Sequence, residues 1–224
     1  MNDEMPTCAR CALKIPERAC RKEEGKAPAF CPTRNKTAVI QKAQELLRKP
    51  ENYEFAQQAS IQEGEGYGDK ALGYAQVKPV KPRIMEIIEF AGKMNYKRLG
   101  FAFCSGLARE AEVVGRLLAS KGFEVVSSIC KVGCRPKEEL GVRDDQKIQR
   151  GSFEPMCNPI AQALILNEAQ TEFNVVLGLC VGHDSLFLKY AKAPCTVLAV
   201  KDRLLGHNPL AAIYNIESYY RSLK

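Results

Sequence analysis

From Leu99 onward, short apolar runs alternate with stretches of helical period, and this alternation restricts the fold more than any other feature of the sequence. Leu99 to Phe103 reads as a first strand, followed by an amphipathic helix from Leu107 to Leu118 that stops at Gly122. Phe123 to Ile129 is the second strand, Phe173 to Leu179 the third and Thr196 to Val200 the fourth. Between the second and third strands, Asn158-Pro159 supplies an N-cap and a proline suited to the first helical position, opening a helix that runs to about Gln170. Ser185 to Ala191 is helical, and Asn208-Pro209 opens a last helix. Nearly continuous apolar strands separated by helices are the pattern of a parallel sheet buried on both faces. Right-handed crossovers then predict a doubly wound, Rossmann-like α/β domain over residues 95–224, with a four-stranded, mostly parallel sheet.

The first part of the chain has a different character. Residues 1–32 hold four cysteines and four prolines with no sustained apolar period, so this loop-rich appendage has little core and needs an external staple. Residues 33–94 form a helical N-terminal extension. Thr33 suits an N-cap for a helix through Val39, Ile40, Leu46 and Leu47, and Pro50 ends that helix or opens the next, which carries Tyr53, Phe55, Ala56 and Ala59. Gly64, Gly66 and Gly68 break the pattern, and Ile84, Met85, Ile87, Ile88 and Phe90 mark a third helix.

Ten cysteines in 224 residues are the chemical signal. No apolar run approaches the roughly 20 residues that span a bilayer, so no membrane role is expected. The first fifteen residues lack a basic segment followed by an apolar stretch, which argues against a signal peptide and for a cytoplasmic setting. Thiols there stay reduced, and clustered ones serve metals or redox chemistry rather than disulfides. Cys8, Cys11, Cys20 and Cys31 form the first set. A Cys-x2-Cys pair aims two thiolates at one centre from a tight turn, and two more complete a tetrahedral shell. An iron–sulfur cluster (4Fe-4S) takes four thiolates and zinc is the alternative, although the spacing matches neither the bacterial ferredoxin run nor a zinc ribbon.

The second set is spread along the α/β domain. Cys104 follows the first strand, Cys134 lies beyond the second, Cys157 immediately precedes the Asn158-Pro159 helix start, and Cys180 ends the third strand. Parallel strands end on the same side, where ligands bind, so these four are expected to converge on one crevice as a second metal site. Helix N-termini there favour thiolate over thiol. Cys130 and Cys195 sit in apolar strand context and read as small hydrophobes. His183, in Val181-Gly182-His183-Asp184, is the candidate general acid or base, with a plain helix start as the bland alternative. His207 is a weaker candidate, and Lys131, Arg135, Arg143 and Arg150 could meet an anionic substrate or offset cluster charge. Phosphate-binding glycine loops, a nucleophile elbow and a zinc-deaminase signature are all absent from the sequence.

Taken together, Cys8-Ala-Arg-Cys11, Met156-Cys157-Asn158-Pro159, Gly178-Leu-Cys180-Val-Gly182-His183-Asp184 and Gly206-His207-Asn208-Pro209 resemble an uncharacterised family. It comprises cysteine-rich proteins of anaerobic bacteria and archaea labelled as metal-binding and of unknown function. The resemblance spans nearly the whole chain; it implies metal binding and a cytoplasmic setting but supplies no reaction. The leading expectation is an iron–sulfur protein of redox or sulfur-handling type, acting with a small molecule or a redox partner. The rival is a non-enzymatic zinc module whose basic arm contacts nucleic acid or an acidic protein. Residues 1–50 hold eleven Lys/Arg against six Asp/Glu, which suits such an arm. Phe30 is the lone aromatic there, so no stacking platform for bases exists, and nucleic acid is disfavoured. Thiolate ligands would also absorb part of the chain's formal charge of +7. Oligomeric state is not legible.

Overall fold

A computed structural model describes residues 5–224, so the first four residues of the cysteine-rich segment lie outside the description. The chain divides into two compact units, one up to Ile61 and one from Gln62 onward.

In the first unit, short 3-10 turns at Cys8–Arg10 and Ile15–Glu17 precede three helices, α1 (Pro32–Asn35), α2 (Thr37–Leu47) and α3 (Pro50–Glu65), the last of which runs on into the second unit. The expected single helix from Thr33 is broken at Lys36, whose backbone (φ −120°, ψ 42°) leaves the helical region. Pro50 opens α3, one of the two alternatives its position allows.

The second unit begins with a two-stranded antiparallel hairpin that the glycine-rich break conceals in the sequence, β1 (Tyr67–Gly68) and β2 (Lys78–Pro79). After α4 (Arg83–Lys93), the expected alternation follows: β3 (Arg98–Phe103), α5 (Ala108–Ser120), β4 (Glu124–Ile129), α6 (Pro159–Glu168), β5 (Phe173–Leu177), α7 (His183–Tyr190), β6 (Cys195–Ala199) and a short α8 (Leu210–Tyr214). The four longer strands form one all-parallel sheet in the order β4-β3-β5-β6, the doubly wound α/β architecture.

Strand parity assigns the two faces. Phe101 and Phe103 turn toward Ala108 and Ala111 of α5, and Phe173 packs on Phe90 of α4 with ring centroids 5.6 Å apart. Ala102 and Val176 turn the other way, into a core with Leu166 of α6 and Phe187 of α7, all four at most 1% exposed. β5 stops at Leu177, two residues short of the expected end, because Gly178 takes a left-handed backbone (φ +67°). A Cβ there would lie 2.1 Å from Leu107 Cδ1, so only glycine fits this close approach.

Connections from β3 lead to β4 on one side, and those from β5 lead to β6 on the other. Ligand crevices of open α/β sheets form at this kind of reversal, outside the C-terminal strand ends. Here that point lies beyond Phe103 and Leu177.

Candidate functional site

Three cysteines meet at this point, and backbone register brings them there. Phe103 pairs with Ile129, so the next residues, Cys104 and Cys130, emerge side by side from adjacent strands. The ladder continues past both: Cys130 N–H donates to Phe103 O (2.9 Å) and Cys104 N–H to Leu177 O (3.0 Å). Both are on the parity that faces α6 and α7, and both are buried. The third arrives from far along the chain. After a long loop, Asn158 N–H donates to Cys130 O at 2.7 Å, which returns the chain to the end of β4. Asn158 also caps α6, its side chain accepting from Ala161 N–H at 2.9 Å, with Pro159 at the first helical position. Cys157 is thereby held beside Cys130, with sulfurs 3.8 Å apart, at the positive end of α6.

A network of buried charges shapes that loop. Glu154 accepts from the N–H groups of Ile148 and Gln149 (2.8 and 2.9 Å) and pairs with Lys137. Lys147, equally buried, reaches Glu138 and Asp144 at 2.8 Å each. The bond from the Gln149 N–H, the Lys137 ammonium and the bond from Ile148 hold the Glu154 carboxyl down to about 2.

The three thiols are electrostatically unequal. A hydrogen bond to Cys130, then burial, pushes the Cys104 thiol up to about 12. Cys157 moves the other way, down to about 6: the Cys130 thiol donates to its thiolate, and the Lys131 ammonium adds charge and a hydrogen bond, outweighing burial. Cys104 is therefore a neutral thiol and Cys157 largely a thiolate at pH 7. Cys195 stands apart, pushed up by burial, with the Asn174 amide donating to it at 3.7 Å.

Basic groups rim the same edge. Arg203 Nη2 donates to Cys180 Sγ at 3.0 Å. Lys201 lies near Cys104, and its N–H donates to Leu179 O at 3.1 Å. Lys131 also donates to Pro155 O. His183 opens α7 just beyond Cys180, and its Nδ1 is buried with no hydrogen-bond partner among the described residues. Burial and the Lys131 charge lower its pKa below the ordinary value, against the opposing pull of Asp184 and Cys104. It is therefore a neutral imidazole at pH 7, competent to accept a proton.

Of the four cysteines expected to converge, the structure joins Cys104 and Cys157 through Cys130, sets Cys180 within the field of Cys157, and leaves Cys134 exposed on a turn at φ +47°. Cys130, read from the sequence as a small hydrophobe, was the residue that sequence reasoning passed over. The available signal was that Cys130 follows the last residue of its strand just as Cys104 does. His207 is occupied in closing its own loop, its Nδ1 accepting from Asp202 N–H at 3.1 Å. Arg135 and Arg143 pair with Glu139 and Asp145 on the surface.

In the first unit, Cys8, Cys11, Cys20 and Cys31 line one cavity of about 50 Å³, together with Arg18 and Lys26. Arg18 organises its wall, donating from Nε to Leu13 O (2.9 Å) and from Nη2 to Cys11 O (3.0 Å). Gly25 lets the chain fold tightly on itself, since a Cβ there would lie 2.4 Å from the Arg18 carbonyl. All ten cysteines are free thiols. Among the described residues, no three Cys, His, Asp or Glu side chains stand close enough to grip a single ion, in either unit. No helix of the described residues is long and apolar enough to cross a membrane.

Residues 31–198 match the model of a family described as proteins of unknown function, DUF1847. The matched span takes in the strand-edge cysteines and Cys31 but not Lys201, Arg203, Cys8, Cys11 or Cys20. An uncharacterised protein of Methanocaldococcus jannaschii, MJ0455, is 45% identical over 185 residues, covering 83% of this chain and 87% of its own length. With a family match over three quarters of its length and a near full-length archaeal relative, the chain belongs to the DUF1847 family.

Proposed function

We propose that this is a metal-binding redox protein in which Cys8, Cys11, Cys20 and Cys31 hold an iron–sulfur cluster, and in which the thiol edge of the second unit acts on a small sulfur-containing molecule. The observation that carries the reading is the shared cavity: thiols spread over 24 positions of a core-poor segment all line one space. Its volume of about 50 Å³ is room for several waters. That suits a polynuclear centre, which takes one thiolate per iron, better than a lone tetrahedral ion. Four thiolates around a dipositive cluster carry a net charge of about −2, and Arg18 and Lys26 in the wall offset it. The cluster would supply electron transfer; the chain supplies soft anionic ligands and a wall braced by the Arg18 hydrogen bonds. The reading carries with it a reducing, cytoplasmic setting, in which free thiols persist.

The test is iron, zinc and acid-labile sulfide analysis of full-length protein purified without oxygen, with its visible spectrum. Brown protein containing iron and sulfide, both lost in Cys20→Ser and Cys31→Ser but kept in Cys195→Ser, is the expected outcome. Colourless protein holding only zinc overturns the cluster and favours the zinc module. Iron that survives in both ligand variants overturns the assignment of these four residues.

A further inference from the structure

We infer that Cys157 and Cys130 form a dithiol–disulfide couple that exchanges with small carboxylate-bearing disulfides, Cys157 being the attacking sulfur and Cys130 the resolving one. This goes beyond the metal reading and requires nothing bound in the first unit. The geometry carries it. The two sulfurs are 3.8 Å apart in the reduced chain and need to close by only about 1.8 Å to reach bonding length. They are held in place by backbone, through the Asn158 N–H to Cys130 O bond, rather than by flexible side chains alone. Their surroundings divide the two roles. Cys130 is 2% exposed and sits against Cys104 and Ser105, whose N–H donates to its sulfur at 3.3 Å, so a bulky external disulfide cannot reach it. Cys157 is only partly buried, and Lys131, which donates to Pro155 O, lies close enough for its charge to act on the thiol.

The rim selects the substrate class. Lys131 beside Cys157, Arg203 on Cys180 and Lys201 near Cys104 place three cations around the entry, with the carboxylates of Asp184 and of Asp202, which is tied to the N–H groups of Leu204 and Leu205, as the acidic groups on the same connections. Such a field draws in anions and repels cationic disulfides. In the first step Cys157 attacks one sulfur of R–S–S–R′, forming a mixed disulfide and expelling R′–S⁻, which takes up a proton. Cys130 then loses its proton and attacks Cys157 Sγ, expelling R–S⁻, which takes up that proton. Over both steps the two cysteines give up two electrons and Cys130 gives up its proton; solvent supplies the second proton, and the disulfide leaves as two thiols.

The experiment exposes the reduced full-length protein to oxidised glutathione, blocks the remaining thiols with iodoacetamide and maps linked peptides by mass spectrometry. A Cys130–Cys157 link, reversed by dithiothreitol, should form before any other. Cys130→Ser and Cys130→Ala should each trap glutathione on Cys157, and having two variants, both checked by circular dichroism, separates lost chemistry from misfolding. The protein as purified should form the link whether or not it carries iron, so failure of the metal reading leaves this one standing. Oxidised glutathione should react about fivefold faster than cystamine, with the advantage lost in Lys131→Met. A first link between Cys104 and Cys130, or no glutathione on Cys157 in the folded Cys130 variants, overturns the couple. Cystamine reacting as fast as glutathione overturns the substrate class.

Discussion

The inequality of the thiols is open to direct titration. With a pKa of about 6, Cys157 is half thiolate at pH 6 and almost wholly thiolate at pH 8. An ordinary thiol near 8.5 is about 0.3% ionised at pH 6. Thiolate fraction alone would favour Cys157 by about 160-fold at that pH. A less basic thiolate is also a weaker nucleophile, and with a Brønsted coefficient of about 0.45 the 2.5-unit difference costs about 13-fold. The net expectation for alkylation by iodoacetamide is Cys157 about tenfold faster than free cysteine at pH 6, about twofold faster at pH 7 and about tenfold slower at pH 9. Restricted access scales all three values together, so the shape of the profile is the test. Peptide mapping after short exposures measures it. Cys130→Ala should move the midpoint upward most, because the Cys130 hydrogen bond is the largest cause of the shift, and Lys131→Met should move it less. The linkage sign follows from the depressed folded value. This group stabilises the native state fully above its unfolded pKa, and that contribution is lost as pH falls through about 6. A midpoint at 8 or above, or one unmoved by Cys130→Ala, would refute the reasoning.

Two further perturbations probe the frame around the site. Gly178→Ala should cost about 2–4 kcal/mol, combining a left-handed backbone with a Cβ driven into the buried Leu107, as read by urea unfolding. A loss under about 0.5 kcal/mol would mean that the β5 end is less constrained than its geometry indicates. Glu154→Gln should lower the melting temperature at pH 7, since the amide cannot replace the ion pair with Lys137 and is a weaker acceptor for two N–H groups. Its carboxyl is depressed from 4.5 to about 2, so the deficit should be full above about pH 4.5 and vanish as pH falls through 2; a constant gap would contradict the role of its charge.

Much of the fold was legible because period and punctuation are local signals. Asn158-Pro159 announced the start of α6, and the apolar runs announced all four strands of the parallel sheet. The hairpin at Tyr67–Gly68 and Lys78–Pro79 escaped because two-residue strands have no period to read. The end of β5 was overrun because Leu179 continues the apolar run and only the backbone of Gly178 says otherwise. At the site, Cys104 and Cys157 were picked out from their places at a strand end and a helix start. Cys130 was set aside because an apolar neighbourhood is the commonest home of an inert thiol.

By itself, the sequence determined that the second unit is a parallel α/β sheet and that Cys104, Cys157 and Cys180 stand next to a strand end or a helix start, since both follow from the order of short-range patterns along the chain. Tertiary structure alone decided which sulfurs touch. Adjacency of Cys104 to Cys130 depends on strand register, and that of Cys130 to Cys157 on one backbone hydrogen bond spanning 28 residues. It also decided which thiol is the anion, because pKa is set by the neighbours a folded chain supplies: another thiol on one side and an ammonium on the other.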